Sequence, residues 1–175
     1  SPSRGLGDVY KRQVQVSDGL VEIWLPSGSN IGSQTAFFTG TTENTVTIPG
    51  TAGNVITVGA YNARTRTYAT FSGRGPLDSS RIKPDLVAPG VDVISCSPGG
   101  GYTARTGTSM ACPFVTGAAA LWMQWGMVEG NDPYLYGEKM RAFLIGNARP
   151  LSETGVYPNN REGWGRLCAK GDLVE

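Results

Sequence analysis

The chain has 175 residues, a formal net charge of +1 and a hydrophobic fraction of 39%. This length is about that of one domain and allows a sizeable core. The near-neutral balance gives no indication of nucleic acid or of a strongly charged partner. No apolar run has the length of a membrane span. The 25 glycines predict many tight turns and close backbone contacts.

The N-terminal stretch, residues 1–13, shows no hydrophobic periodicity. It lacks an initiator Met, an apolar region and a small-residue cleavage site, so we interpret it as a non-native or artefactual leader rather than a signal peptide. Residues 18–26 alternate in polarity and predict a β-strand. Residues 45–50 predict a short extended piece that ends at Pro49.

Two further strands are predicted before the centre of the chain. The β-branched run at 54–62, bounded by glycines, is typical of a buried parallel strand. The following stretch, 68–90, is predicted to be a loop, in which Pro84 and Pro89 fix an extended path. Alternation at 91–96 predicts another strand, and the glycine-rich 97–107 predicts a turn and hairpin.

A long helix is predicted from Ser109 to about Gly126, where a glycine favours termination. Its residues are apolar nearly all round, which predicts a central, buried helix. Pro113 falls in the first turn or just past it. A second helix is predicted to begin with Asp132 as N-cap and Pro133 after it, and to resume at 137–145. A short apolar patch at 163–168 closes the chain.

The three cysteines, Cys96, Cys112 and Cys168, are an odd number without CxxC spacing. This pattern argues against a disulfide framework and against a zinc site, and we expect small buried thiols. The chain contains no histidine, so a metal site would need oxygen ligands alone.

The stretch RTGTSMACPFVTGAAALW, residues 105–122, places Ser109 where a loop becomes a helix. Gly107 allows backbone to approach a substrate closely. The N–H groups of Thr108 and Ser109 are unpaired at the positive end of the helix dipole, so the Ser109 N–H can donate to a developing oxyanion. The alternative for Ser109, taken alone, is a simple N-cap.

Four ordered motifs decide between these alternatives. Over about residues 45–148 the chain resembles the C-terminal half of the subtilisin-like serine proteases (subtilases, peptidase S8). The motifs that carry the resemblance are, in order, VITVGAYN with YATFSGRGP, IKPDLVAPG, VISCSPGG and GTSMACPFVTGAAAL. DGLVEIWLP, GNDPYLYGEK and GWGRLC resemble the clostridial Csp-like germination-protease branch. In that branch residues 14–30 would end an inserted β-rich domain, and residues 31–175 would form the C-terminal part of the catalytic domain.

The resemblance implies an α/β fold: a three-layer sandwich with a mainly parallel sheet, of which this chain holds the C-terminal half, and a central helix that starts at the nucleophile. It implies that Ser109 is the catalytic nucleophile and that Thr108 supports the oxyanion site. Counting back from NVITVGA places Thr47 in the wall of the S1 pocket, so Thr47 and Gly107 are the expected substrate-binding residues.

This sequence departs from the family pattern in two ways and lacks part of it. Phe114 stands where many relatives have a structural histidine, so we expect changed packing rather than changed chemistry. Cys112 replaces a small residue and is expected to pack behind the site. The catalytic aspartate and histidine and the oxyanion-hole asparagine belong to the family's N-terminal half and are not recognisable here. No cofactor is evident; calcium occurs in the family, but no site is identified in this sequence.

The leading hypothesis is a serine endopeptidase present as an incomplete chain, which alone would have no turnover. Its expected partners are a protein or peptide substrate and the missing N-terminal half, and the resemblance implies a location outside the cytoplasm or at the spore. The alternative is a pseudoprotease that binds or regulates a partner. A third hypothesis, an unrelated α/β domain with an N-cap serine, would require the ordered motifs to be accidental.

Overall fold

The computed structural model describes residues 23–25, 35–77, 82–153 and 155–170. The chain divides into two compact units, Ser1–Phe38 and Thr39–Glu175. In the first unit, Ile23–Leu25 of the predicted strand 18–26 is not in a strand. The rest of that strand and the predicted leader at 1–13 lie outside the described residues. Every element named below belongs to the second unit.

The second unit contains a small mixed sheet. Its strands are β1 (Val58–Asn62), β2 (Thr67–Tyr68) and β3 (Leu86–Pro89), in the order β2-β1-β3. β1 runs parallel to β3, with Val58 opposite Leu86, and antiparallel to β2. The parallel strand predicted within 54–62 is therefore confirmed in its second half. Residues 45–50, predicted to be extended, lead into a turn without joining a strand.

The prediction of a continuous loop at 68–90 is wrong, because β3 lies inside it. The two prolines that suggested a loop flank the strand: Pro84 precedes it and Pro89 is its last residue. A proline at the end of a strand interrupts little of the hydrogen-bonded ladder. The predicted hairpin is confirmed as β4 (Val93–Cys96) paired antiparallel with β5 (Tyr102–Arg105), and most of its side chains are exposed.

The long predicted helix is confirmed as α1 (Thr108–Met123), which continues into a π-helical turn, Gln124–Val128. The prediction that this helix is buried on every side is wrong within the part of the chain that the structure describes. Only one stripe of α1 is buried, where it faces the sheet: Ala111, Val115, Ala118 and Trp122. Beside this stripe Phe114 is 43% exposed and Leu121 is 65% exposed, because the described residues place sheet against one face only.

The second helix, α2 (Gly137–Gly146), confirms the predicted segment 137–145, whereas the predicted start at Asp132 and Pro133 is wrong. Asp132 does not cap it; its Oδ1 accepts the N–H of Tyr134 at 3.2 Å and forms a turn. That turn carries Leu135, which is fully buried, into the core. Because the burial of Leu135 fixes the chain between Asp132 and α2, the helix cannot start at Pro133.

Both helices pack on one face of the sheet. Ala60, Leu86 and Ala88 meet α1 there, together with Leu144 of α2. The other face carries a smaller cluster of Tyr61, Val87 and Leu151. The aromatic rings of Trp122 and Phe143 meet edge to face, with centroids 4.8 Å apart, and connect the helices. This arrangement is of the α/β class, as predicted.

A buried ion network fastens α2 to the sheet. The fully buried Asp85 accepts from Lys83 Nζ at 2.8 Å through Oδ2, and from Arg141 Nε at 2.8 Å through Oδ1. Its Oδ2 also accepts the N–H of Thr57 at 2.7 Å, just before β1. Lys83 donates further to the carbonyl of Val55 at 2.7 Å. One carboxylate therefore joins α2 to the starts of β1 and β3.

The Tyr157 hydroxyl organises the segment that follows α2. It donates to Glu162 and accepts the N–H groups of Leu151, at 3.0 Å, and Ser152, at 3.2 Å. Burial, and then the hydrogen bond to Glu162, raise the pKa of Tyr157 above its ordinary value of 10.0. The folded state therefore favours the neutral hydroxyl.

A Tyr157→Phe substitution tests this contribution. Because the folded pKa is raised, the stability is present below about pH 10 and is lost as the pH rises through the folded pKa. We expect the variant to lose about 1–2 kcal/mol of unfolding free energy at neutral pH, and the difference from the parent chain to shrink above pH 10. Urea unfolding across this pH range measures it. A difference that does not change with pH would contradict the assignment.

Candidate functional site

The start of α1 lies at the carboxyl ends of the parallel strands β1 and β3. The N–H of Gly107 donates to the carbonyl of Gly90, just after β3, at 2.8 Å. A Cβ added to Gly90 would lie 2.6 Å from the Cβ of Ala60 in β1 and 3.0 Å from the Gly107 carbonyl oxygen. Gly90 must therefore be glycine for the two segments to meet. This edge of the sheet is where parallel α/β folds place their ligands.

Gly107 sets the direction from which α1 begins. It is the N-cap, with φ 156° and ψ 162°, a conformation essentially restricted to glycine. No side chain caps the helix, and the N–H of Met110 donates to the Gly107 carbonyl at 3.0 Å. The N–H groups of Thr108 and Ser109 lie in the first turn, where no helix carbonyl four residues earlier can accept them, and at the positive end of the helix dipole.

Ser109 is the second residue of α1 and is exposed. The simple N-cap alternative is therefore wrong, since Gly107 occupies that position. The ring of Pro113, one turn later, cannot donate the helical hydrogen bond to the Ser109 carbonyl. The Ser109 hydroxyl is thus presented to solvent beside free backbone donors.

Two depressions meet beside this serine. The first, the Ser109 groove, has a volume of about 620 Å³ and is lined by Val58, Thr108, Ser109, Cys112, Pro113 and Thr116. The second, the Thr47 pocket, has a volume of about 250 Å³ and is lined by residues 45–50 and 57–59 with Ser72, Gly73, Pro84 and Thr108. Val58 and Thr108 belong to both depressions, so a bound molecule can extend from one to the other.

The hydroxyl groups of the Thr47 pocket are largely committed to the protein itself. The Thr57 hydroxyl donates to the Gly50 carbonyl at 2.6 Å, and the Ser72 hydroxyl accepts the N–H of Ala60 at 3.0 Å. The Thr45 hydroxyl donates to the Thr42 carbonyl at 3.1 Å. Among the described lining residues none is charged. Such a pocket suits an uncharged side chain.

The predicted site residues lie together around Thr108. Ser109 borders one depression, Thr47 lines the other, Thr108 belongs to both, and Gly107 precedes them. Sequence reasoning missed Val58, whose strand was recognised but whose position at the junction depends on the packing of α1. Their roles in catalysis and substrate binding stay predictions.

The expectation that the three cysteines are buried thiols is wrong. Cys112 does not pack behind the site; it is exposed and lines the Ser109 groove, one helical turn after the serine. Cys96 is also exposed and Cys168 is half-buried, so none is a buried thiol, and all three are free. The error at Cys112 follows from expecting α1 to be covered on every side.

The described ranges contain no group of three or more His, Cys, Asp or Glu side chains placed to hold a metal ion. Within the same ranges, no helix combines the length and the apolar character needed to cross a bilayer.

Comparisons with known proteins agree with the predicted resemblance. The Subtilase family model, Peptidase_S8, matches residues 13–165. The structure of the Clostridium perfringens CspB protease superposes with a TM-score of 0.77 at 40% identity, over 80% of this chain and 30% of that one. These two matches confirm the subtilisin-like α/β fold and the similarity to the clostridial branch.

Two curated sequences show how much of a relative the chain spans. Serine protease AprX of Bacillus subtilis is 35% identical in an alignment of length 142 that covers 67% of this chain and 32% of that protein. An uncharacterized protein of Aquifex aeolicus is 34% identical in an alignment of length 170 that covers 82% of this chain and 72% of that protein. The chain therefore spans about a third of the two matched proteases and most of the Aquifex protein.

Proposed function

Because the chain belongs to the subtilase family, we propose that it carries the nucleophile of a subtilisin-type serine endopeptidase, and that this nucleophile is Ser109. One observation carries the proposal: Ser109 is exposed as the second residue of α1, beside a pocket that can receive a substrate side chain. A serine there has backbone donors on the side where the charge of an acyl-transfer reaction develops.

In the proposed reaction, Ser109 Oγ attacks the carbonyl carbon of the scissile peptide bond while a general base takes its proton. The carbonyl oxygen becomes an oxyanion and accepts the Ser109 N–H, an interaction worth about 3 kcal/mol in the transition state. The protonated base gives its proton to the leaving amine, and an ester to Ser109 remains. Water then hydrolyses the ester, with the same base as acceptor and donor. Thr108, at the junction of the two depressions, supports the oxyanion site.

The general base is proposed to come from outside these 175 residues. The chain contains no histidine, and the described lining of the Ser109 groove holds no carboxylate. The family supplies its aspartate and histidine from an N-terminal half, which we propose as the partner that completes the site. The isolated chain would then have a nucleophile without a base.

The substrate is proposed to be a protein or peptide with an uncharged side chain before the scissile bond. This side chain would enter the Thr47 pocket, where burying a charge without a partner would be costly. Relatives of the chain include an extracellular protease and an intracellular one. Of these two kinds of location we propose the one outside the cytoplasm, or at the spore, for the protein that contains this chain.

A fluorophosphonate, which reacts with activated serines, tests the proposed function. The whole protein that contains this chain is expected to bind one equivalent at Ser109, identified by mass spectrometry of the labelled peptide. Ser109→Ala, heat-unfolded protein and the isolated 175-residue chain are expected to remain unlabelled. A folded whole protein that does not react would instead favour a pseudoprotease that binds a partner without cleaving it.

A further inference from the structure

Three side chains from distant parts of the sequence meet beside the Thr47 pocket without lining it. Glu43 accepts from Arg74 Nη1 at 2.7 Å through Oε1 and from Asn160 Nδ2 at 2.5 Å through Oε2. Arg74 also donates to Thr42 Oγ1 at 2.9 Å, and its guanidinium lies over the ring of Tyr68, 5.7 Å from the centroid. We call Glu43, Arg74 and Asn160 the Glu43 clamp.

The clamp is partly withdrawn from solvent. The side chains of Arg74 and Glu43 are 16% and 23% exposed. The hydrogen bond from Arg74 lowers the pKa of Glu43, so the carboxylate stays ionised at neutral pH. Because Glu43 uses one oxygen for each partner, the three side chains restrain one another.

The backbone beside the clamp connects it to the wall of the pocket. The carbonyl of Arg74 accepts the N–H of Thr45 at 2.7 Å and that of Val46 at 3.1 Å, and the N–H of Arg74 donates to Thr45 Oγ1 at 3.0 Å. On the other side, the N–H of Gly75 donates to the carbonyl of Asn160 at 2.8 Å. Thr45 and Val46 line the pocket, and Arg74 directly follows the lining residue Gly73.

This wall needs such support because residues 45–50 lie in no helix or strand. No ladder of hydrogen bonds fixes their position relative to β1 and α1. Irregular segments of this kind open more easily than sheet or helix unless specific contacts hold them. Hydrogen bonds to the backbone of Arg74 attach Thr45 and Val46 to the opposite side of the pocket, where the backbone of Gly73 also lies close to both residues.

We propose that the Glu43 clamp is a positioning device for substrate binding: it holds the wall at Thr45–Val46 against Arg74 and thereby sets how tightly the Thr47 pocket grips a substrate side chain. This inference rests on the proposed function for the meaning of the pocket. Since the clamp touches neither Ser109 nor the groove, its effect acts on binding rather than on the chemical step.

Arg74→Met in the whole protein tests the inference by its kinetics. We expect KM for a peptide with leucine before the scissile bond to rise about tenfold while kcat stays within twofold, the pattern for loss of binding shared by ground and transition states. For a peptide with glycine at that position, KM should hardly change, because no side chain enters the pocket. Arg74→Lys keeps the charge but lacks the planar fork, and is expected to restore KM in part.

Lys139→Met is the matched control. It removes an ion pair of similar length, Lys139 with Asp132 at 2.6 Å, which lies on the surface away from the pocket lining. It should leave KM for both peptides unchanged. If Arg74→Met folds poorly, Glu43→Gln removes the charge with little change of shape. Equal losses with the leucine and glycine peptides, or no loss with either, would overturn the inference.

Amide hydrogen exchange gives a second readout that needs no turnover. In Arg74→Met the amides of Thr45 and Val46 should exchange about tenfold faster, whereas those within β1 and α1 should not change. If the whole protein has no turnover at all, the proposed function fails, and exchange still decides whether the clamp holds the wall. Unchanged exchange at Thr45 and Val46 would show that it does not.

Discussion

Ser109→Ala in the whole protein is expected to lower kcat for peptide hydrolysis on the order of 10⁶-fold, the loss that follows removal of a serine nucleophile from a subtilisin-type triad. The alanine variant keeps the pocket and the helix N-terminus but cannot form the ester intermediate. Because Ser109 is exposed and makes no described side-chain hydrogen bond, its loss should change the unfolding free energy by no more than about 0.5 kcal/mol.

The matched control for this prediction is Ser95→Ala, which removes another exposed serine, on β4 of the hairpin. It should leave kcat and KM unchanged. The measurement is steady-state hydrolysis of a chromogenic peptide, with circular dichroism to show that both variants fold. If Ser109→Ala still hydrolysed the peptide at the parental rate, in an inhibitor-sensitive way, another group would be the nucleophile.

Asp85→Ala is expected to destabilise the fold by about 3–5 kcal/mol, a large part of the stability of a domain of this size. The substitution leaves Lys83, which is 5% exposed, and the guanidinium of Arg141 without their common carboxylate. It also leaves the N–H of Thr57 without its acceptor. The free energy of unfolding in urea measures the loss.

Lys139→Ala is the control for Asp85→Ala, because it also breaks an aspartate–lysine pair and leaves intact the turn that Asp132 forms with the N–H of Tyr134. The Asp132–Lys139 pair lies at the surface, where solvent and salt screen it, so its removal should change the urea midpoint little. Similar midpoints for the two variants would show that the buried network contributes no more than a surface pair.

The elements that sequence predicted well are those whose signals are local. The helix after Gly107 was found within one residue of its start, because small residues and a glycine precede a long apolar run. The hairpin was recognised from alternation at 91–96 and from the glycine-rich stretch after it, in which Gly99–Gly101 all have positive φ angles. Interactions between residues close in sequence are enough to determine both the helix and the hairpin.

The elements that were missed depend on contacts between distant residues. β3 reads as a loop because prolines flank four residues, and only its pairing with β1 makes it a strand. Asp132 has the local chemistry of an N-cap, but the burial of Leu135 overrides it. The exposure of Cys112 likewise depends on which elements pack against α1. The sequence of α1 itself does not show this.

The candidate site divides in the same way. Ser109, Thr108 and Gly107 could be named as candidates from the sequence because they belong to one contiguous motif. Thr47 was found by counting along the family pattern, and the structure places it in the pocket beside Thr108. The Glu43 clamp left no signal in the sequence, because its members are separated by many residues and each is an ordinary surface type on its own.

The π-helical turn at the end of α1 fixes how many residues the chain needs between α1 and Leu135. Glu129 donates to the carbonyl of Gln124 at 3.0 Å, so this turn holds one residue more than an α-helical turn would. Gly126 then faces the core, where a Cβ would lie 2.9 Å from the Asp132 carbonyl and 3.0 Å from Leu135. Deleting any single residue of the turn would restore α-helical spacing and rotate Leu135 away from its site. Homologues with a shortened turn at this point should therefore carry a different anchor in place of Leu135.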